Sequence, residues 1–460
     1  MGLVIFSGLM NMCRWHLFFS TGSMARLNPS IITAGNTALR EHFWMRLDNA
    51  AKIYPAIQNE ELTSVFRISC LLKERIQVQP LLRAIGKLEQ RFPYYKMKPR
   101  KGFFWYYLEF HDEPIPLRPD FAPPCRAFHK GDLIFRVLAR NNSLSVEFSH
   151  ILTDGSGAME FLKTLLLAYF EMCGKPLPAT LPALKPDEIP SAEEFEDGFS
   201  RYFQQHIPSP KKKPRSFHLP FRLSFPRRFG VLTARMPLSE ISKKAKSYDA
   251  TITDYLVAVY LHAMQSIYNS LPARKKRKVR RIFRIQVPVN LRRMFASRTM
   301  RNFSLFVTPE IDMSLGQYSF EEIVKTVHHV MQLETDRKLI NKIIARNVGA
   351  ERNIWLKNTP LFIKSLILKL TYRIAGTSRY SGVITNLGKI TLGDADGLID
   401  HFVFTPPPPS SALKVNCGVL GFGDNLVMSF GNITQSRNME KAYLRFLVKQ
   451  GIGVKIIDYN

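Results

Sequence analysis

The stretch Asn141-Asn142-Ser143-Leu144-Ser145-Val146-Glu147-Phe148-Ser149-His150-Ile151-Leu152-Thr153-Asp154-Gly155 packs a turn, a strand, a second turn and a helix start into fifteen residues. Asparagine tolerates the left-handed backbone of tight hairpins, so Asn141-Asn142 predicts a turn. The segments Leu133 to Leu138 and Leu144 to Phe148 on either side of it predict two paired strands. His150 then falls at a strand end. Asp154 is predicted as a helix N-cap, because its short carboxylate can accept the free N–H groups of the first turn. Met159, Leu162, Leu166 and Phe170 recur at helical spacing until Gly174 and Pro176 stop the helix. A histidine held between strand and helix, four residues before the capping aspartate, suits proton transfer. On these grounds alone a packed or solvated histidine is the commoner outcome.

Upstream, Ser64 to Leu72 reads as a strand, and Leu81, Leu82, Ile85, Leu88 and Phe92 form one helical stripe predicted to cover a sheet. Aromatic-rich strands follow around Phe103 to Phe110. Downstream, residues 176–219 are rich in proline and charge and read as an interdomain linker. A second α/β unit follows. It opens with a strand near Val231 to Arg235, a short helix from Ser239, and a longer helix capped by Thr253 or Asp254 that runs to Tyr268. Strands are predicted at Ile282 to Val289, Phe303 to Val307 and Gly382 to Thr385, with a helix from Phe320 between the last two. Leu413 to Leu420 and Leu426 to Phe430 are predicted strands, and Met439 to Val448 a final helix. The expected organisation is a tail at residues 1–43, a first unit at 44–175, the linker, and a second unit at 220–460.

The chain has 460 residues and is 45% hydrophobic, enough to bury a large core in two or three domains. The five cysteines, Cys13, Cys70, Cys125, Cys173 and Cys417, lack the paired spacing of a zinc site or redox dithiol, which implies reduced thiols in a cytoplasmic protein. The apolar run Gly2 to Ser20 is interrupted by Arg14 and His16, lacks a basic leading segment, and is too short to span a bilayer. A net charge of +28 favours anionic partners without choosing among nucleic acid, lipid, coenzyme A phosphates and acidic carriers.

His150 to Gly155 also matches the His-x-x-x-Asp-Gly pattern of a known superfamily. It resembles the acyl-CoA-dependent acyltransferases that include chloramphenicol acetyltransferase, plant BAHD acyltransferases, peptide-synthetase condensation domains and alcohol acetyltransferases. Val287-Pro288-Val289-Asn290-Leu291-Arg292 resembles the superfamily's strand end, and Arg301-Asn302-Phe303 its crossover strand. Thr385-Asn386-Leu387-Gly388 is similar to a segment of the alcohol acetyltransferase branch. The resemblance implies an α/β fold of two similar domains, each a mixed sheet with flanking helices, and an active-site tunnel between them. It implies His150 as general base, with Asp154 and Arg292 pairing as structural support and Gly155 allowing a tight turn beside the base. Asn386 keeps two readings, an oxyanion or tunnel contact and a turn asparagine before Gly388.

The same resemblance implies no metal and no bound cofactor, with acyl-CoA as co-substrate and a small or lipidic alcohol or amine as acceptor. A monomer is expected. Ser149 stands where carrier-dependent condensation domains have a first histidine, and the Asp-Phe-Gly-Trp-Gly segment of the plant enzymes is missing. Both departures favour the alcohol-acetyltransferase-like branch.

The rival to an enzyme is a nucleic-acid or anionic-surface binding protein, for which Arg274 to Arg281 and Lys211-Lys212-Lys213 argue. No helix-turn-helix, zinc or ribonucleoprotein pattern accompanies these runs, so nucleic acid is disfavoured. The Arg274 run is read as an exposed, solvated loop. Phe362, Ile363, Leu366, Ile367 and Leu370 alternate with Lys364, Lys369 and Arg373. That pattern fits a basic amphipathic helix on lipid, implying peripheral membrane contact. It also fits a core-facing helix with snorkelling lysines, which is the preferred reading.

Overall fold

The computed structural model describes residues 43–176, 183–205, 207–208, 213–372 and 377–457. The apolar N-terminal run, Cys13, Lys211, Lys212 and Arg373 lie outside the described residues. The described residues begin with β1 (Trp44–Arg46), a short α1 (Tyr54–Ile57), β2 (Val65–Leu72) and α2 (Val78–Arg91). β3 (Met97–Lys101) and β4 (Tyr106–Phe110) form a hairpin, followed by β5 (Leu117–Pro119), β6 (Phe135–Arg140) and β7 (Ser143–Ser149). Asn141 has φ +53°, the left-handed turn geometry expected between β6 and β7. α3 (Gly155–Met172) ends before Gly174, whose φ is +71°.

α2 buries Leu81, Ile85 and Leu88 but leaves Leu82 exposed. At about 100° per residue, Leu82 is rotated off the stripe that its neighbour Leu81 shares with Ile85 and Leu88. α2 and α3 pack together, and β2 and β7 are buried along nearly their whole length. Both faces are covered although β7 alternates polar and apolar residues, and its buried polar side chains are paired, Glu147 with Arg67 and Ser145 with Ser69.

The second half contains β8 (Gly230–Pro237), α4 (Leu238–Lys246), α5 (Ile252–Asn269), β9 (Ile282–Asn290), β10 (Ser304–Val307) and β11 (Glu310–Asp312). Next come α6 (Phe320–Glu334), α7 (Arg337–Arg352), α8 (Leu361–Thr371), β12 (Gly382–Ile390) and β13 (Ile399–Thr405). β14 (Val415–Phe422), β15 (Asn425–Asn432), α9 (Asn438–Lys449) and β16 (Lys455–Ile457) complete the chain. The cap of α5 is Thr251 rather than Thr253 or Asp254. Its hydroxyl accepts Asp254 N–H while the Asp254 carboxylate accepts Thr251 N–H, both at 3.1 Å, so Asp254 is the third-residue partner of a capping box.

Three sheets result: β1-β4-β3, β13-β2-β7-β6-β5, and the large β10-β9-β12-β14-β15-β8-β16 with β11 also paired to β9. β13 leaves the second half of the chain and pairs antiparallel with β2, placing Phe402 opposite Cys70. Phe402 and Phe404 therefore join the core built around α2 and α3, where Leu420 and Phe422 of the large sheet also pack. A smaller core of Phe199, Leu291, Phe295, Phe303, Ile340 and Ile344 lies beneath α7.

Within the segment read as a linker, Glu194 is buried and ion-paired to Arg91 at 2.7 Å. Arg274 and Lys275 are exposed as expected, but Ala273–Lys276 forms a short helix rather than a loop. α8 departs from the preferred reading: its apolar residues face outward and Lys364 is buried. Among the described residues no helix is long and apolar enough to cross a membrane.

Candidate active site

His150 follows β7 directly, and its N–H donates to the Ser64 carbonyl at 2.9 Å. The β2–β7 pairing thus reaches the histidine itself. Its ring stacks on Tyr54, with centroids 5.3 Å apart and planes at 16°, and lies 4.6 Å from the Phe66 ring. Nδ1 is enclosed with no hydrogen-bond partner. These surroundings desolvate the imidazolium and push the pKa down to about 4, with the Asp154 charge opposing the shift. The ring is therefore neutral near pH 7 and can accept a proton.

Asp154 turns into the protein. Its Oδ1 accepts Ser156 N–H and Gly157 N–H at 3.1 Å each, as the N-cap of α3. The same carboxylate receives a bidentate pair from Arg292, both bonds at 3.0 Å, and Phe303 N–H at 2.9 Å. Burial acts to raise its pKa, but the Arg292 guanidinium and these N–H groups hold it below the usual carboxylate value. Arg292 is fixed in turn by the Thr299 carbonyl at 2.7 Å, the Arg301 carbonyl and Asn290 Oδ1 at 3.1 Å. Asn290 closes the circuit by donating to Ser156 Oγ at 3.0 Å.

Gly155 occupies the first turn of α3 without a left-handed backbone, so the expected tight-turn role is not what it performs. Its missing side chain makes room for Leu387, whose Cδ2 would lie 2.7 Å from a Cβ. Gly157 is more constrained still, since a Cβ there would meet the Met300 carbonyl at 2.4 Å and Thr153 Oγ1 at 2.2 Å. Tyr95 and Thr153 both donate to that Met300 carbonyl.

No family model and no curated protein matches the sequence. Solved structures do match the fold. TRI101 from F. graminearum, complexed with coenzyme A and deoxynivalenol, superposes with TM-score 0.61 and 10% identity over 90% of this chain and 100% of its own. TRI101 from F. sporotrichioides, complexed with coenzyme A and T-2, gives 0.57 and 12% over 90% and 100%. Polyketide synthase associated protein 5 from Mycobacterium tuberculosis gives 0.55 and 11% over 87% and 96%. The fold is the two-domain CoA-acyltransferase and condensation fold.

Within this acyltransferase fold, Asn386 lies on β12 and is tied to local structure. Its Nδ2 donates to Thr253 Oγ1 at 3.0 Å and its Oδ1 accepts Gly388 N–H at 2.9 Å. Gly388 has φ +82°, next to a bulge in the β12–β14 pairing. These are the bonds of a turn asparagine.

Asp48, Tyr54 and Asn302 surround the candidate base and are not marked as site residues in the sequence. Asn302 Nδ2 donates to the His150 carbonyl and to Asp48 Oδ2, each at 3.0 Å. Asp48 is fully buried, and desolvation raises its pKa to about 6 although Arg301 opposes the shift. The Arg301-Asn302-Phe303 stretch was the available signal for Asn302. Nothing local marks Asp48 or Tyr54. No group of three or more His, Cys, Asp or Glu able to hold a metal occurs among the described residues. A cavity of about 90 Å³ beside Tyr169 and Cys173 includes none of the site residues.

Proposed function

We propose that this protein is an acyltransferase that moves an acyl group from a thioester, acyl-CoA, to an alcohol or amine, with His150 as general base. The observation that carries this reading is the division of labour within His150 to Gly155. Asp154 is committed to Arg292 and to the backbone, while the His150 ring is uncharged at neutral pH and held by β7 and Tyr54. In the proposed reaction His150 Nε2 takes the acceptor proton as the acceptor oxygen or nitrogen bonds to the thioester carbon. The tetrahedral intermediate then collapses, the carbon–sulfur bond breaks, and the imidazolium returns the proton to the leaving thiolate. Desolvation keeps the imidazole neutral before and after each turnover and at the same time lowers its basicity.

Free acyl-CoA is preferred to a carrier-bound donor on two grounds. Ser149 replaces the tandem histidine, and the TRI101 structures of the same fold contain coenzyme A. Asp154, Arg292 and Gly155 are assigned to supporting the motif, and the hydrogen bonds of Asn386 favour a bracing role over an oxyanion contact. The test is a screen of acyl-CoAs against pooled alcohols and amines, read as free thiol release. Acceptor-dependent release supports the reading. Release that ignores every acceptor, or release only from carrier-bound thioesters, contradicts it.

A further inference from the structure

In α8 the apolar residues face out and one lysine faces in. Phe362 is 74% exposed, Leu366 60% and Leu370 50%, whereas Lys364 is 1% exposed. Lys364 Nζ donates to the carbonyls of Phe104 and Lys357 at 3.0 Å each and lies 3.7 Å from the centre of the Trp105 ring. Leu361 N–H donates to the Phe103 carbonyl at 2.9 Å. These bonds fasten α8 to the tip of the β3–β4 hairpin, where Phe103 is 61% exposed. Two elements distant in sequence thus present adjoining apolar groups. A row of large apolar side chains facing water is unfavourable and marks an interaction surface.

The charge around this face selects its partner. Between Glu351 and Asp394 the sequence has seven lysines and arginines, one of them the inward-facing Lys364, and no acidic residue. Lys357 and Lys369 are exposed near or on the helix, and on the hairpin Lys101 is exposed beside Arg100, which pairs with Glu109 at 2.6 Å. A second copy of a chain carrying +28 would be repelled, whereas an anionic lipid surface attracts basic residues and accepts apolar ones. We infer that α8 and the β3–β4 tip form a docking surface for an anionic lipid bilayer. The inference is independent of acyl transfer. α8 also packs on α1, whose Tyr54 stacks on His150, so the docking face lies one helix from the candidate base.

The experiment is co-sedimentation of the full chain with phosphatidylcholine vesicles, with and without phosphatidylglycerol. The variants are Phe362→Ser/Leu366→Ser and, as a charge control, Arg274→Ser/Lys275→Ser in the exposed basic run. The wild type binds the phosphatidylglycerol vesicles. The α8 variant weakens binding by at least about tenfold, because each side chain loses its apolar burial, and its melting temperature is unchanged. The charge control binds like the wild type. Three results would overturn the inference: no binding by the wild type, full binding by the α8 variant, or equal loss in the charge control. Wild-type self-association abolished by the α8 substitutions, without vesicle binding, would assign the face to a second copy instead.

Discussion

Arg292 uses its guanidinium in five hydrogen bonds, two to Asp154, two to backbone carbonyls and one to Asn290. Removing either partner of a buried pair leaves the other charge uncompensated, at a cost of roughly 3–5 kcal/mol. Asp154→Ala and Arg292→Ala should each lower the unfolding midpoint. The double variant should lose less than the sum of the two, and additive shifts would mean the side chains do not interact. His150 adds a pH signature. Its pKa of about 4 lies below the ordinary 6.5, so between these values the unfolded chain binds more protons than the folded one. That contribution to stability is present above about pH 6.5 and lost as pH falls through about 4. The wild type should therefore lose stability relative to His150→Ala as the pH falls across this window, measured as the difference of thermal midpoints. The strand-end position of His150 and the pairing of Asp154 with Arg292 were legible because a local motif and a strand end mark them. Asp48 was not, since its partner Asn302 is 254 residues away and no spacing rule joins them.

At the scale of elements, the start of α3 shows what the motif glycine Gly155 and the nearby Gly157 do. A Cβ on Gly157 would press on a backbone carbonyl, whereas one on Gly155 would press on the tip of Leu387, a side chain that can rotate. Gly157→Ala should cost on the order of 1–3 kcal/mol, and Gly155→Ala less, compared by denaturant midpoints. Similar costs would mean that Leu387 cannot move aside. Elements with strong periodicity and end signals, such as α3 and α9, were readable in the sequence. The cap of α5 was misplaced because Thr251, Thr253 and Asp254 all suit a helix start, and only the reciprocal bonds choose among them. α8 was misread for a different reason. Its pattern shows an apolar and a basic face but cannot say which one turns inward, and that choice is made by the hairpin carbonyls that receive Lys364.

At the scale of the molecule, β13 joins the sheet of β2 and β7 although its neighbours in sequence, β12 and β14, lie in the large sheet. Sequence order cannot announce such a crossing, so the two α/β units were legible and the strand exchanged between them was not. Phe402 is fully buried on β13 among residues of the first core. Phe402→Ala should cost about 3–5 kcal/mol and lower one shared transition, followed by circular dichroism and by hydrogen exchange in β7 and β14. Two separated transitions would show that the halves fold independently.

All three scales converge on one ring, held by β7, stacked on Tyr54 and backed by an aspartate that Arg292 turns aside. The direct measurement is acceptor-dependent thiol release from acyl-CoA by wild type and His150→Ala, with melting curves on the same samples. The expected result is a loss on the order of 10² to 10⁴ in rate with the fold intact. Wild-type turnover by a folded His150→Ala variant would contradict it.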